Sequence, residues 1–280
     1  MRYAELFGRA WAELADSERG LEIELLIAKA FRFRRERFWI DRQKEIHDPD
    51  GLSRFRGYFS RLQRGEPISY ILGEKEFYSE KFLVNRHVLI PRPETEYLVE
   101  QALALIPSGG GNSTVLDIGS GCGNIAVVLA LRSPVRVWAL EKSRKALAVL
   151  ERNVRRFDLQ NRVIPLQGDL FPGSNDPVRR FDLVVSNPPY LARCEWTQLS
   201  ASIRDYEPRR ALVAGVSGLE VIERIIGSCR RHLKSGGHLL MEIGRGQRPE
   251  VERMLARSGW PAPAWIRDGQ GLDRVAVVRR

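Results

Sequence analysis

Thr114-Val-Leu-Asp-Ile-Gly-Ser-Gly-Cys-Gly-Asn-Ile-Ala126 decides how this chain is read. Its first five residues have the apolar, β-branched character of a strand, and Gly119, Gly121 and Gly123 then predict a tight turn into a helix starting near residue 122. Alternating glycines let backbone approach a ligand closely at the carboxyl end of a first strand, where open α/β sheets bind nucleotides. The spacing is GxGxG after an acidic residue, whereas the dinucleotide fingerprint is GxGxxG. A ligand without a pyrophosphate but with cationic groups suits it, because Asp117 at the strand end anchors such groups electrostatically. S-adenosyl-L-methionine, carrying an ammonium and a sulfonium, is the expected cofactor, held by Asp117, Gly119, Ser120, Gly121, Cys122 and Gly123.

Outward from this turn, strand and helix alternate. Strands are expected at 114–118, 135–140, 162–167, 181–186 and 237–243, with helices at about 122–132, 143–157, 218–233 and 248–258. That pattern predicts βαβ units, a mainly parallel Rossmann-like sheet and helices on both of its faces. Two further candidate strands, 264–267 and 274–278, are joined by Asp268-Gly-Gln-Gly271, a turn short enough for an antiparallel hairpin. Acidic residues close three successive strands. Glu141, 24 residues after Asp117, suits the two ribose hydroxyls, and the Asp169-Leu170 segment suits the adenine amine. Each carboxylate alone is more often a helix cap or a solvated charge; the succession is what points to a ligand.

The fourth strand, Phe181–Ser186, closes with Asn187-Pro188-Pro189-Tyr190. An amide or exocyclic amine is a poor nucleophile, since its lone pair is delocalised, and a site that methylates it needs acceptors in the plane of the NH2 group. An Asn side-chain oxygen beside a backbone carbonyl supplies two, and consecutive prolines, with φ fixed and no N–H, hold that carbonyl outward. Tyr190 can lie against the planar group as a stacking wall. The bland reading is a strand that ends in a proline turn. With the acidic strand ends alongside, cofactor and methyl acceptor are expected to share one edge of the sheet, with Asn187 touching both.

Towards the N-terminus the period changes. From Tyr3 to about Leu72 apolar residues recur at helical spacing, with breaks at Asp16-Ser17, His47–Gly51 and Gly65–Pro67, predicting a domain of roughly four helices within residues 1–75. Residues 76–90 read as a β-hairpin linker turning at Ser79-Glu80-Lys81, and 91–280 as the catalytic domain, entered through a helix at about 94–106 and the flexible stretch 108–112. Arg92 and Glu94 read equally well as lining the cleft mouth or as an ion pair at that helix start.

Length allows two domains with cores that need no staples. Three cysteines at unrelated spacings, with four scattered histidines, argue against a disulfide framework or a zinc site, and the chemistry calls for no metal. Apolar runs too short to span a bilayer, and no signal-peptide segment, predict a soluble cytoplasmic protein, with no membrane partner and monomeric. The net charge of +10 invites a nucleic-acid reading. Its distribution weakens it: residues 1–75 hold 15 Lys+Arg against 13 Asp+Glu, and the remainder 30 against 22. The densest cluster, Arg32, Arg34, Arg35 and Arg37, lies among Phe31, Phe33 and Phe38 and reads as a solvated face around core aromatics. Stable nucleic-acid binding is not expected.

Taken together, the chain resembles class I S-adenosylmethionine-dependent methyltransferases, and more narrowly the protein-(glutamine-N5) methyltransferases specific for class I peptide-chain release factors. The markers run from Gly65-Glu-Pro-Ile-Ser-Tyr-Ile-Leu-Gly73 through Val88–Glu96, the Asp117–Gly123 turn, Ser186–Tyr190, Tyr206-Glu-Pro208, Gly218-Leu219 and Glu242-Ile-Gly244 to Gln247. The resemblance implies a helical substrate-recognition domain, a β-hairpin linker and a seven-stranded sheet whose last strand is antiparallel. It implies methylation of the glutamine in the Gly-Gly-Gln loop of the release factor. Asn187 and Pro188 would accept from its amide, with Pro189 and Tyr190 completing the substrate contacts and Asn187, Pro188 and Tyr190 acting in catalysis. Glu141 stands where Asp is usual, and Ser79-Glu80 where a glycine is common. The tetrapeptide also suits a nucleobase amine or a ribosomal-protein glutamine, and a non-catalytic binding module is a further alternative.

Overall fold

The apolar spacing of the first seventy residues folds into helices Tyr3–Leu14, Gly20–Ala30, Arg35–Asp41, Pro49–Gln63 and Ile68–Leu72 in the computed structural model, which describes residues 1–14, 19–107, 113–173 and 180–280. The expected break at Asp16-Ser17 and the stretch 108–112 lie outside the described residues. Five helices stand where four were expected, because Ile68–Leu72 has too few residues to show a period. With helix Ala201–Tyr206 they make up the smaller of two compact units, Met1–Glu74 plus Ala201–Tyr206. Leu6, Ile23, Leu26, Ile27, Phe38, Phe55 and Leu62 form its core. The arginine-rich segment divides by polarity: Phe38 is buried, Phe31 and Phe33 pack against the core, and Arg32, Arg34, Arg35 and Arg37 face solvent.

The larger unit, Lys75–Ser200 with Glu207–Arg280, begins with the hairpin β1 (Glu74–Phe77) and β2 (Glu80–Leu83). Asn153 ties β2 to helix Arg144–Arg156, its side chain accepting from the Leu83 N–H at 2.8 Å and donating to the Leu83 carbonyl at 3.0 Å. The glycine turn follows β3 (Thr114–Ile118), and β4 (Arg136–Glu141), β5 (Val163–Gln167) and β6 (Phe181–Ser186) follow in turn. A short parallel pair, β7 (Leu191–Ala192) and β8 (Val213–Gly215), stands apart, and β9 (Leu233–Glu242), β10 (Ala264–Arg267) and β11 (Asp273–Arg279) complete the main sheet. Its order is β10-β11-β9-β6-β3-β4-β5. The five strands from β9 to β5 are parallel, and β11 runs antiparallel between β9 and β10, so the expected closing hairpin forms.

Alternation along the strands divides the core. Leu116 and Ile118 join Ile222, Ile225, Ile226 and Cys229 of helix Glu220–His232 on one face. Those helical positions repeat at i, i+3, i+4 and i+7, the spacing that buries one stripe. Each large aliphatic side chain so buried stabilises the fold by ~1.5–3 kcal/mol. Strand β9 starts four residues before the expected 237, because the register slips between Phe181↔Leu233 and Leu183↔His238 and the intervening Lys234-Ser-Gly-Gly237 bulges out. A Cβ at Gly237 would meet the Asp182 carbonyl at 2.8 Å, so only glycine fits the bulge. Among the described residues no helix is long and apolar enough to cross a membrane.

Candidate active site

Parallel pairing sets the site at the carboxyl ends of β3, β4 and β6. Ile118 lies opposite Ser186, whose hydroxyl donates to the Ile118 carbonyl at 2.9 Å, so Gly119 and Asn187 leave adjacent strands side by side. Strand order reverses here, since β4 lies on one side of β3 and β6 on the other, and such switch points open a crevice in α/β sheets.

Gly119, Gly121 and Gly123 have φ of +73°, +57° and +86°. Side chains are strained there, and a Cβ on Gly119 would project into open space, leaving the cradle free to receive a ligand. The N–H groups of Gly119 and Ser120 both donate to the Leu140 carbonyl, at 2.9 and 3.0 Å, which pins the loop to β4. Asp117 is wholly buried, and among the described residues neither carboxylate oxygen has a donor at hydrogen-bonding distance; the Ser120 hydroxyl donates to the Asp117 main-chain carbonyl at 2.9 Å. Burial pushes the Asp117 carboxyl up to about 7. Cys122 contributes backbone: its thiol is buried and pushed up to about 12, and its carbonyl accepts from Asn153 at 2.8 Å.

Glu141 ends β4 with its carboxylate over the glycine turn, accepting from the Gly121 N–H at 3.0 Å and the Ser143 N–H at 2.7 Å. Burial raises its carboxyl above the ordinary value. Asp169 sits differently. Its carboxylate accepts from Lys142 at 3.1 Å and Arg224 at 3.0 Å at the surface; burial opposes its ionisation, but those cations outweigh it and the carboxyl is lowered. Leu170 beside it has φ of +66°, a left-handed conformation that costs a residue with a Cβ and is characteristic of functional sites.

Asn187 donates its side-chain N–H to the Thr95 hydroxyl at 2.9 Å, and that hydroxyl donates to Glu242 Oε2 at 2.8 Å. Pro188 is buried. Tyr190 packs against the core cluster, and burial pushes its phenol up to about 12. Gln247 clamps the segment, donating to the Tyr190 carbonyl at 2.8 Å while accepting from the Gly244 N–H at 2.9 Å. Gly218 lies directly under it: a Cβ there would meet the Tyr190 carbonyl at 2.6 Å and the Ala192 nitrogen at 2.9 Å. Arg92 pairs with the buried Glu207 at 2.6 Å rather than with Glu94, and Glu207 also accepts from the Ile90 N–H at 3.1 Å. Glu207, Gln247, Thr95 and Glu242 lie in stretches that carry the family resemblance, and the structure gives each of them a hydrogen-bonding partner at the site. Glu242 carried a readable signal, since it ends an apolar strand with a carboxylate just as Glu141 does.

This sheet, glycine turn and Asn-Pro-Pro-Tyr edge define a methyltransferase. Residues 95–202 match the Methyltransferase small domain, and residues 5–73 match the PrmC N-terminal domain. The hMettl16 catalytic domain in complex with a MAT2A 3′UTR hairpin shares the fold at 17% identity and a TM-score of 0.57, covering 70% of this chain and 74% of that one. At the level of sequence, the release factor glutamine methyltransferase of Geobacter sulfurreducens is 39% identical over 92% of this chain and 89% of its own length. That of Nitratidesulfovibrio vulgaris is also 39% identical, over 93% and 88%. The chain belongs to the family of release factor glutamine methyltransferases.

Proposed function

We propose that the protein transfers the methyl group of S-adenosyl-L-methionine to the side-chain amide nitrogen of the glutamine in the Gly-Gly-Gln loop of class I release factors. The observation that carries this reading is the adjacency of the open glycine cradle and Asn187 across the Ile118–Ser186 pair, in a chain of this family.

The residues fit the cofactor. Asp117 is a buried carboxylate without a hydrogen-bond partner among the described residues, which a cationic ligand group would supply. Gly119 and Gly121 leave room for close approach, and the Glu141 oxygens retain lone pairs for ribose hydroxyls. The Asp169-Leu170 backbone closes the adenine side, with the Asp169 carboxylate committed to its surface cations. Bound there, the cofactor supplies an electrophilic methyl on a sulfonium. Asn187 Oδ1 and the Pro188 carbonyl accept the two hydrogens of the target NH2 and aim its nitrogen, with Tyr190 against the amide plane. Positioning of this kind removes on the order of 7–11 kcal/mol of barrier when both reactants are held in near-attack geometry. The helical unit grips the body of the factor, where Trp39 and Ile40 of helix Arg35–Asp41 present exposed apolar surface. Working on a translation factor, the enzyme acts in the cytoplasm, as a monomer.

Labelled cofactor incubated with either a release factor or total nucleic acid tests the assignment. Label on the factor, lost when the loop Gln is replaced by Glu, is expected. Label on nucleic acid alone would turn the reading to base methylation.

A further inference from the structure

The Asn187 side chain can present either its oxygen or its nitrogen to an acceptor amide, since rotating the amide group exchanges them. Only the oxygen can accept a hydrogen from the target NH2. Something must therefore choose the rotamer. The Thr95 hydroxyl carries one proton, and an ionised carboxylate only accepts, so the 2.8 Å bond to Glu242 takes that proton. What Thr95 has left is a lone pair, and the Asn187 group facing it at 2.9 Å has to be the NH2.

We infer that Thr95 and Glu242 are positioning residues for methyl transfer: Glu242, acting through Thr95, locks the Asn187 amide with its nitrogen held and its oxygen left for the target glutamine. The inference rests on the function proposed above, in which Asn187 accepts from the target amide.

Three separate elements are brought together for this. Thr95 opens helix Thr95–Leu105, Glu242 ends β9 and Asn187 follows β6, with Ser186 paired to Met241 so that Asn187 and Glu242 leave neighbouring strands. Thr95 and Glu242 are each 1% exposed. A carboxylate buried to this depth is a costly choice for packing alone. The charged groups near it are Arg274 of β11 and Arg92 and Glu94 ahead of the helix, and the titratable phenol of Tyr190 lies near it as well. The two arginines are engaged elsewhere, Arg274 with Asp268 at 2.7 Å and Arg92 with Glu207.

Polarity of the relay depends on ionised Glu242. Once protonated, Glu242 becomes a donor, Thr95 can turn its own proton to Asn187, and the amide loses its preference. Burial pushes Glu242 up to about 7, so turnover should fall as pH drops through that region. The shape of Thr95→Val matches threonine without the hydroxyl, and Glu242→Gln keeps an acceptor but cannot titrate.

The test is steady-state turnover of a release factor at saturating cofactor from pH 6 to 9, with cofactor affinity measured separately by calorimetry. Thr95→Val should lower kcat by about 10–100-fold, the scale of a misplaced reacting group, with cofactor Kd and factor KM within twofold. Thr95→Ser should restore kcat to within threefold of wild type. Glu242→Gln should keep turnover at pH 8 within about fivefold and lose the acid limb, on the same positional argument. Three outcomes overturn the relay: Thr95→Val turning over like wild type, Thr95→Ser failing to restore it, or kcat and cofactor binding falling together. A wild-type protein that labels no release factor overturns the underlying function, and this inference with it.

Discussion

Asp117, one residue before the end of β3, and Glu242, which ends β9, lie in the same sheet, both are buried, and burial pushes both carboxyls up to about 7. Their surroundings differ. Glu242 holds a hydrogen bond from Thr95 and, through it, Asn187, whereas Asp117 has no hydrogen-bond partner at either oxygen among the described residues. On the function proposed above, the acceptor edge of the site is assembled from the protein's own groups, and the cofactor edge keeps a buried carboxylate for a cationic ligand group. One edge spends its polar groups on orientation; the other keeps them for binding.

The largest effect expected from this contrast is at Asn187. Asn187→Ala removes the acceptor oxygen without touching the glycine turn, so kcat should fall about a thousandfold, the upper range for losing a group aimed at the reacting atoms. Cofactor binding should stay measurable in calorimetry and fall far less than kcat. A parallel loss of affinity would erase the distinction between the two edges.

Asp117→Asn probes the other edge. A charge-assisted contact of ~1.5–3 kcal/mol would be lost, weakening cofactor binding by about 10–100-fold. Stability should move the opposite way. The folded pKa is raised from 3.8 to about 7, so the stabilising contribution of the neutral carboxyl is fully present below the unfolded value and is lost as pH rises through about 7. At pH 8 the wild-type apo protein therefore carries a buried ionised group, and Asp117→Asn should be more stable by about 1–3 kcal/mol in denaturant titrations. Equal stability at pH 5 and pH 8 in the wild type, or a destabilised variant at pH 8, would contradict the unpaired-carboxylate account.

A smaller effect tests how the acceptor edge is held from below. Gly218 has φ of +83° and no space for a Cβ against the Tyr190 carbonyl and the Ala192 nitrogen. Gly218→Ala should cost about 1–3 kcal/mol of stability through overpacking, and displacement of the Pro188–Tyr190 segment should lower kcat by about tenfold. Cofactor affinity should change less than either.

Sequence legibility followed the same division. The glycine turn, Glu141 and Asn187 were readable because their chemistry lies in short runs at strand ends, and β3 and β6 kept the bounds expected of them. The Asn187–Thr95–Glu242 chain was not, since its bonds join residues 92 and 147 positions apart and nothing local records the pairing. Arg92 is similar: a sequence neighbour, Glu94, was the natural partner, and the fold gives it Glu207, 115 residues away. The start of β9 was misplaced for a local reason, because Gly236 and Gly237 look like a boundary and form a bulge within the strand.

The smallest effect lies outside both edges and separates functional cost from incidental strain. The β1–β2 hairpin turns through Tyr78 and Ser79, with φ of +52° and +62°. A two-residue turn with both central residues at positive φ matches the right-handed twist of the strands, and Asn or Gly normally fills it. A residue with a Cβ costs ~1–2 kcal/mol in that conformation. Glycine relieves the cost but has more freedom to lose on folding, so Ser79→Gly should stabilise by only about 0.5–1 kcal/mol. Like Asp117→Asn it should raise the denaturation midpoint; unlike it, the gain should be the same at pH 5 and pH 8 and leave cofactor Kd and kcat unchanged. If the hairpin variant also weakened cofactor binding, its strain would belong to the site, and instability at Asp117 could no longer be assigned to the buried carboxylate alone.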